Sequence, residues 1–541
     1  MSPKKKIPTK TELQQLQKLY KTDEKIGERL GGVPSYLVAY WRRKKNIPKY
    51  SLPKFSENEI RNLWERYGDD EKCGLELGIS KAAFYNWRRR YGIREKPAFL
   101  KLEQLEFNFP GSRPSIHTTS LYGKQTVAQK VFARAAGLEK VEVGQSVEVE
   151  PDVVIVSGNV ARVVSEFRQA GVEYVWNSGK IVLAPDQFAR DGDDGDCAEH
   201  AAVREFVKRQ GIRALYDLRE GGVNQVAVER GHLVPGSLAL VTDPEAVSFG
   251  SLGSLCRRID CARVADMWAR GRIALTVPPT VFAAVSGRRG RGVFARDIAL
   301  FLVKKLAESG ATDATIELAG SVVSQMSVSE RFTLAGCSAA LSDAGALCPY
   351  DATIRRYLNG RTMSSYKPIL ADKDAEYKQM FQLSIDHVLP QVVSGDGPKG
   401  IRPVQESEGM TVSRIVLGYC TNGRFDDLRV TAEILKGNKV HPDCQLFIMP
   451  ASRSVHLEAL KKGLIRIFVE AGAIVLPPGS DPFIDAVLRG LPPGEKVLST
   501  GGWHSAPADM AARGDYLMCS PATAAASALS ASLTDPSRFV R

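Results

Sequence analysis

The hydrophobic positions in the first hundred residues repeat with an offset of 46–47 residues. Each copy fits three short helices: one with apolar residues at helical spacing, one that ends at Leu-Gly, and a third that follows a tight turn and ends at Trp-Arg-Arg. Ser56 and Glu59 form the capping-box pattern before the first helix of the second copy. The matched positions are Leu13 and Ile60, Leu16 and Leu63, Tyr20 and Tyr67, Leu30 and Leu77, Val33 and Ile79, Trp41 and Trp87, and Ile47 and Ile93. We therefore predict two small all-α units, over residues 1–50 and 51–97, and a linker over residues 98–119.

The last two helices of each copy, with their glycine-containing turn and basic end, form the helix-turn-helix pattern of bacterial regulators and transposases. Val33, Leu37 and Trp41 are predicted to pack the third helix on the other two, which leaves its remaining faces outward. The residues predicted to contact DNA are Ser35, Tyr36, Tyr40, Arg42 and Arg43 in the first copy and Lys81, Ala82, Tyr85, Arg88 and Arg89 in the second. Early positions would reach base edges and the terminal arginines would reach phosphates. A helical protein-docking domain is the alternative for this pattern.

The distribution of charge favours a polyanionic partner for these repeats. The 541 residues carry a formal net charge of +12, and residues 1–100 hold 23 Lys and Arg against 12 Asp and Glu. Nearly all of the excess positive charge therefore lies in the repeats, while the rest of the chain is close to neutral. We predict that residues 1–95 bind duplex DNA.

Composition indicates a globular protein of the cytoplasm. Hydrophobic residues make up 44% of the chain, and no apolar run approaches the roughly 20 residues that span a bilayer. The basic start is followed by polar residues rather than by the apolar stretch of a signal peptide. Nine cysteines are scattered without a disulfide framework. We expect a cytoplasmic location with reduced thiols and no membrane partner.

From about residue 120 the pattern changes to short β-branched runs that alternate with helical periodicity. The predicted strands are residues 153–156, 181–183, 238–241 and 273–277, and the predicted helices are residues 160–169 and 201–210. This alternation is typical of an α/β fold with several sheets.

A series of motifs in this part of the chain resembles the aconitase superfamily, and most of all the large subunits of 3-isopropylmalate dehydratase and homoaconitase. In chain order they include Thr126–Lys130, Gly231–Gly236, Phe249–Gly253, Ser327–Thr333, Tyr357–Arg361, Cys420–Asn422, Ile467–Gly472 and Ser520–Thr523. The resemblance implies three α/β/α domains, the first two over residues 120–405 and the third over residues 406–541. From the same resemblance we expect this sequence to lack the swivelling fourth domain, which is a separate small subunit in the dehydratase.

The resemblance also implies a [4Fe–4S] cluster held by three cysteines. The first ligand position matches Cys420, but the other two positions hold Ser480 and Phe483. Because thiolates are the ligands that an iron–sulfur core needs, one cysteine is too few. We therefore expect no cofactor, with the family's [4Fe–4S] cluster as the alternative.

Other positions that the resemblance assigns to catalysis have changed as well. The family's Asp-His pair falls on Ser157-Gly158, a catalytic histidine falls on Asn224, and two carboxylate-binding arginines fall on Trp503 and Ala508. The residues of the vestigial site are Asn159, Asp186, Asn224, Asp243, Glu317 and Asn422. A hydro-lyase needs an acid–base pair, an electrophile on the leaving hydroxyl and cationic carboxylate clamps, and each has lost a member.

Three hypotheses follow from the sequence. The first is a DNA-binding protein whose aconitase-like body is catalytically inactive and serves as a ligand sensor or assembly platform. The second is an active hydro-lyase or isomerase of the 3-isopropylmalate dehydratase type, acting on a 2-hydroxy acid with a small-subunit partner. The third is a non-catalytic structural subunit that pairs with a dehydratase subunit or with itself. The altered positions favour the non-enzymatic hypothesis.

Overall fold

The computed structural model divides into two compact units, Met1–Thr119 and Ser120–Arg541. Within them the structure describes residues 7–540 apart from 21, 48–54, 68, 94–123, 186–193, 218–219, 363–364, 395–396, 419–421, 480–483, 485–487, 489–490, 503–509 and 511–513. The predicted linker at 98–119 lies outside the described residues. None of the helices in the described ranges is both long and apolar enough to cross a bilayer.

The first unit contains two copies of a three-helix arrangement. Its helices are α1 (Lys10–Tyr20), α2 (Asp23–Arg29), α3 (Ser35–Lys44), α4 (Glu57–Tyr67), α5 (Asp70–Glu76) and α6 (Lys81–Arg90). The predicted Ser56–Glu59 capping box is present before α4. Each copy has its own core, which confirms the helical segment that the repeat predicts.

The second helix of each copy requires glycine at the position where the following turn packs against it. A Cβ on Gly27 would lie 2.0 Å from the Val33 carbonyl oxygen, and one on Gly74 would lie 2.8 Å from that of Ile79. The third helix then begins at Ser35 or Lys81, so Val38 and Phe84 are the fully buried residues of its first turn. Leu37, predicted to be a core residue, is only partly buried because the helix begins after Pro34.

The second unit contains three main sheets and one small two-stranded sheet. Its strands are β1 (Ser146–Val149), β2 (Val153–Ser157), β3 (Ile181–Ala184), β4 (Ala214–Leu215), β5 (Leu238–Val241), β6 (Leu255–Arg258), β7 (Ile273–Thr276), β8 (Thr280–Ser286), β9 (Thr315–Ala319), β10 (Ala346–Leu347), β11 (Gln379–Ser384), β12 (Gln391–Val393), β13 (Ile401–Pro403), β14 (Arg414–Leu417), β15 (Gln445–Ile448), β16 (Ile474–Val475), β17 (Val497–Ser499) and β18 (Tyr516–Cys519). The α/β class predicted from the sequence is confirmed.

Parallel pairing dominates the three main sheets. The first has the order β4-β3-β2-β5-β6 and the second has the order β10-β9-β8-β11, and both are parallel throughout. The third has the order β13-β12-β18-β17-β14-β15-β16, in which β12 runs antiparallel to both of its neighbours. Because β12 and β13 precede residue 406, the third sheet begins before the predicted domain boundary.

Helices cover the faces of these sheets. They are α7 (Val127–Ala136), α8 (Val160–Gln169), α9 (Asp194–Gln210), α10 (Val223–Glu229), α11 (Cys261–Arg270), α12 (Ala295–Glu308), α13 (Ser321–Gln325), α14 (Val328–Gly336), α15 (Ala352–Leu358), α16 (Phe425–Leu435), α17 (Arg453–Lys461), α18 (Leu464–Ala471) and α19 (Pro521–Ala528). Alternate residues of β2 enter different cores, Val154 and Val156 on one face and Val153 and Ile155 on the other. Both faces of the first sheet are therefore buried, as the continuous apolar runs predict.

Candidate functional site

The third helix of each repeat exposes most of the side chains predicted to contact DNA. Tyr36 is 69% exposed, Tyr40 is 56% exposed and Tyr85 is 40% exposed, which is unusual for large aromatic side chains. The exposed polar and small residues of the same helices are Ser35, Arg43, Lys81, Ala82 and Arg89. Exposed aromatic and basic side chains on one helix form a surface suited to a groove of nucleic acid.

Arg42 and Arg88 are placed differently from the other predicted contacts. Both are buried, and each forms hydrogen bonds with the aspartate that begins the second helix of its repeat. Arg42 bonds Asp23 through Nε and Nη2 at 3.0 Å and donates to the Ile47 carbonyl from Nη1. Arg88 repeats this pattern with Asp70 and the Ile93 carbonyl, at 2.8–2.9 Å.

These two arginines are therefore structural clamps, because their donors already have protein partners. In the second repeat the Arg88 guanidinium also lies 3.8 Å from the centre of the Trp64 ring. Hydrogen bonding to Asp70 raises the pKa of Arg88 above its ordinary value. The sequence carried a signal for this role, since Asp23 and Asp70 occupy equivalent positions in the two copies.

In the second unit, one group of predicted residues lies at the carboxyl edge of the first sheet. Ser157 ends β2 and donates from its hydroxyl to Asp243, which follows β5, at 3.4 Å. Asn159 lies exposed at the start of α8, and Asp186 falls outside the described residues. The carboxyl edge of a parallel sheet is where ligands bind in folds of this class.

Two further predicted residues are buried. Asn224 is 3% exposed on α10, and its Oδ1 has no hydrogen-bond partner in the described structure. Glu317 on β9 accepts from the Val127 amide at 2.7 Å and from the Tyr377 hydroxyl at 2.9 Å. Burial raises the pKa of Glu317. Its contacts give Glu317 a structural role at the N-terminus of α7.

Asn422 is fully buried and forms hydrogen bonds to helix α14 and to the residue that follows β17. Its Oδ1 accepts from the Thr333 hydroxyl at 2.8 Å, and its Nδ2 donates to the Thr500 carbonyl at 3.1 Å. Asn422 also lines a cavity of about 300 Å³ between α12, α14 and α16. Arg296, which sequence reasoning did not single out, lines the same cavity and is 2% exposed.

The positions assigned to the cluster, Cys420, Ser480 and Phe483, all lie outside the described residues, as do Trp503 and Ala508. The described thiols do not fit a cluster. Burial raises the pKa of Cys348 to about 12 and also raises the pKa of Cys256, which keeps both protonated. Over the described ranges, no three His, Cys, Asp or Glu side chains group closely enough to hold a metal ion.

Similarity to known proteins adds to what this geometry indicates. The family profile of the aconitase family (aconitate hydratase) matches residues 195–531. The chain is 35% identical over 419 residues to the 3-isopropylmalate dehydratase large subunit 1 of Methanopyrus kandleri, covering 77% of this chain and 100% of the relative. It is 33% identical over 376 residues to the probable methanogen homoaconitase large subunit of Methanosarcina mazei, covering 70% and 95%. A solved structure, Thermococcus kodakaraensis aconitase X (holo-form), matches with a TM-score of 0.40 and 16% identity over 66% of this chain and 84% of that chain.

These matches confirm the resemblance found in the sequence and correct one expectation. Proteins of this family normally carry a [4Fe–4S] cluster, so the expectation that the chain has no cofactor is wrong. That expectation depended on Ser480 and Phe483 at two ligand positions, whereas the family relationship extends over the second unit as a whole.

Proposed function

Because the chain belongs to the aconitase family, we propose that its second unit is the large subunit of a two-subunit hydro-lyase of the 3-isopropylmalate dehydratase type. Its substrate would be a 2-hydroxy acid, and its partner would be a small subunit that supplies the swivelling domain. The observation that carries the proposal is the 35% identity to a dehydratase large subunit over that relative's entire length.

The described side chains suit the proton-transfer part of such a reaction. Asp243 lies half-buried at the carboxyl edge of the first sheet, with the Ser157 hydroxyl 3.4 Å away. A carboxylate at this edge can accept a proton from bound substrate, and the neighbouring hydroxyl can orient it. The Thr333 hydroxyl on α14 donates to Asn422, which stands two positions after Cys420 in the sequence, at 2.8 Å. Cys420 is the one thiol at the three ligand positions, and a cluster bound there would supply Lewis-acid activation of the leaving hydroxyl.

An activity assay with matched variants tests this proposal. The chain is co-expressed with an isopropylmalate dehydratase small subunit, purified without oxygen and supplied with iron and sulfide, and turnover of 2-isopropylmalate is followed. We expect Asp243→Asn to lose at least a hundredfold in kcat, as loss of a proton-transfer group does. Asp266→Asn, which alters an exposed carboxylate paired with Arg270, is the control and should keep full activity.

A folded chain without turnover, beside an authentic large subunit that is active with the same partner, would contradict the proposal. The non-catalytic structural subunit would then be the better hypothesis for the second unit. Binding of the small subunit, measured by co-purification, separates that hypothesis from an isolated ligand sensor.

A second function is favoured by the first unit. We propose that α3 and α6 bind duplex DNA, through Tyr36, Tyr40 and Arg43 on α3 and Lys81, Tyr85 and Arg89 on α6. The supporting observation is the exposure of these side chains on the third helix of both repeats, in the part of the chain that holds almost all of the net charge. Arg42 and Arg88 are left out because their guanidinium groups are engaged by Asp23 and Asp70.

Fluorescence anisotropy with labelled duplex DNA at increasing salt tests the DNA proposal on the full chain. Arg89→Ala should weaken binding to every sequence and lower the slope of log affinity against log salt by about 0.9. Arg61→Ala removes the same charge from an exposed position on α4, which carries none of the proposed contacts, and should change affinity much less. Lys81→Ala should instead alter sequence preference. If the chain shows no salt-dependent affinity, or if Arg61→Ala matches Arg89→Ala, the repeats dock protein rather than DNA.

A further inference from the structure

Strand β11 is an outer strand of the second sheet, and its free edge lacks the protection that such edges normally have. In the order β10-β9-β8-β11 it pairs with β8, and no strand among the described residues pairs with its other side. Its six residues, Gln379–Ser384, include neither a charged side chain nor a proline. Proteins usually keep outer strands short or place charges or prolines on them, because an open row of N–H and C=O groups can pair with another strand.

The other outer strands of the three main sheets follow this rule. The strands β4, β10 and β16 have two residues each. Strand β6 carries Arg257 and Arg258, and β13 carries Arg402 and Pro403. On β11, in contrast, the Met380 side chain is 68% exposed. Within the described parts of these sheets, β11 is therefore the outer strand that is best suited to pair with another chain.

The backbone of β11 presents the polar groups of every second residue at this free edge. The Ile385 amide donates to the Ser286 carbonyl of β8 at 2.9 Å. Because the direction of these groups alternates along a strand, the amide and carbonyl of Gln382 point away from β8, as do those of Met380 and Ser384. The side chains of the same three residues lie on the exposed face of the strand.

The charges that flank β11 are complementary to those of a second copy of the strand. Lys378 precedes β11, Asp386 follows it, and both are exposed. If two copies pair antiparallel about Gln382, Lys378 of each copy lies opposite Asp386 of the other, on the same face as Gln382. Opposite charges in directly paired positions stabilise a sheet. Lys378 would contribute only its side chain, because its amide donates to the Thr280 carbonyl at 2.8 Å.

The Asp386 carboxylate can accept a further hydrogen bond from a lysine. It accepts from the Ser384 hydroxyl at 2.6 Å and from the Arg288 amide at 2.8 Å. These two bonds lower the pKa of Asp386, which keeps the group ionised at neutral pH. Since a carboxylate has about four acceptor positions, these contacts leave room for the Lys378 ammonium group of a second copy.

We propose that β11 pairs antiparallel with β11 of a second copy of this chain, centred on Gln382, so that the second sheets of the two copies form one continuous sheet. The two Gln382 residues exchange backbone hydrogen bonds with each other, and Met380 of each copy exchanges them with Ser384 of the other. The inference goes beyond the proposed function, since it requires neither turnover nor DNA.

Sedimentation velocity of the full chain over a range of concentrations tests the proposal. We expect a concentration-dependent dimer. Gln382→Pro removes an N–H group that points away from β8, so it should abolish the dimer and leave the second sheet intact. Lys378→Glu places like charges opposite each other at both ends and should raise the dissociation constant on the order of tenfold. Lys373→Glu, at an exposed lysine before the strand, is the control and should leave the constant unchanged.

Disulfide cross-linking of single-cysteine variants tests the register. In the proposed pairing the two Gln382 Cα atoms lie about 5.5 Å apart, within the range that a disulfide can bridge. Gln382→Cys should therefore form a covalent dimer on a non-reducing gel after treatment with diamide. Met380→Cys, on the same exposed face, is the control, because two copies of residue 380 would lie about 13 Å apart and should not cross-link. The wild type measures the background from the native thiols.

The cross-linking result keeps the test decisive if Gln382→Pro fails to fold. A wild type that stays monomeric at every concentration would overturn the proposal, and the edge of β11 would then belong to another segment of the chain or to a different protein. The proposal is also overturned if folded Gln382→Pro dimerises as the wild type does, or if Met380→Cys cross-links as readily as Gln382→Cys.

Discussion

Replacing Arg88 with alanine tests the division of the basic residues into structural clamps and surface contacts. The substitution removes both bonds to Asp70, the bond to the Ile93 carbonyl and the contact over the Trp64 ring. The Arg88 and Asp70 side chains are only 10% and 15% exposed. Removing one partner of a buried ion pair costs about 3–5 kcal/mol, because it leaves the other charge buried alone.

That cost is comparable with the whole stability of the unit. A three-helix unit of this size is stable by only about 2–6 kcal/mol, at roughly 0.05–0.15 kcal/mol per residue. We therefore expect Arg88→Ala to unfold α4–α6 for most of the time, while the first repeat stays folded on its separate core. Arg42→Ala should be milder, because Gln17 stands in the first repeat where the second has Trp64, and a cation over a ring adds up to about 2 kcal/mol.

Hydrogen exchange of the full chain, read by mass spectrometry of peptides from each repeat, measures the effect. The opening free energy of α4–α6 should fall by about 3–5 kcal/mol in Arg88→Ala and by no more than about 0.5 kcal/mol in the exposed neighbour Arg89→Ala. Replacing both clamp residues by apolar ones, Arg88→Met with Asp70→Leu, should recover part of the loss. Wild-type protection in Arg88→Ala together with loss of DNA affinity would refute the reasoning and return Arg88 to the contact surface.

Three further predictions concern particular side chains. Trp41→Ala should cost about 3–5 kcal/mol in the first repeat, whereas Trp87→Ala should cost less in the second because Trp87 is only half-buried; equal losses by hydrogen exchange would contradict this. Because burial raises the pKa of Asp297 from 3.8 to about 7, its stabilising contribution is present below about pH 4 and is lost as the pH rises through 7. The urea midpoint of the wild type minus that of Asp297→Asn should thus decrease from pH 4 to 7, and an increase would show that Asp297 is ionised in the native state. Gly250→Ala should destabilise the second unit severely, since the added Cβ would lie 1.7 Å from the Ala346 carbonyl oxygen; an unchanged urea midpoint would contradict it.

The sequence was sufficient for the elements whose pattern is regular. The helix predicted over 160–169 and the strand predicted over 238–241 have those bounds in the structure, because in both the apolar periodicity is uninterrupted. The start of α9 at Asp194 was missed, since its first turn is acidic and glycine-containing rather than amphipathic. Local pattern also placed Leu37 in the core, where a shift of one residue after Pro34 selects Val38 instead.

The candidate sites depend on contacts that are distant in sequence, and there prediction was weaker. Arg42 and Arg88 look like surface residues beside Arg43 and Arg89, and only their pairing with Asp23 and Asp70, some 19 and 18 residues away, shows that they are interior. Arg296 lies in no recognisable motif, and only the structure shows that it is buried and that its Nε has no hydrogen-bond partner among the described residues. The absence of a cofactor was inferred from two positions alone, and the family relationship outweighs it.

The order of strands in the third sheet has a consequence for folding during synthesis on the ribosome. Strands β12 and β13 are joined to the rest of that sheet through β18, with Val392 opposite Cys519 and Val393 opposite Met518. These two strands are synthesised long before β18, and at roughly 5–20 residues per second the delay is on the order of ten seconds. During that time their hydrogen-bonding edge is open to other nascent chains. A chain that ends before Tyr516 would lack β18, so the edge of β12 would stay exposed permanently. We therefore expect chaperone dependence to rise sharply for nonsense mutations there, although they remove little of the chain.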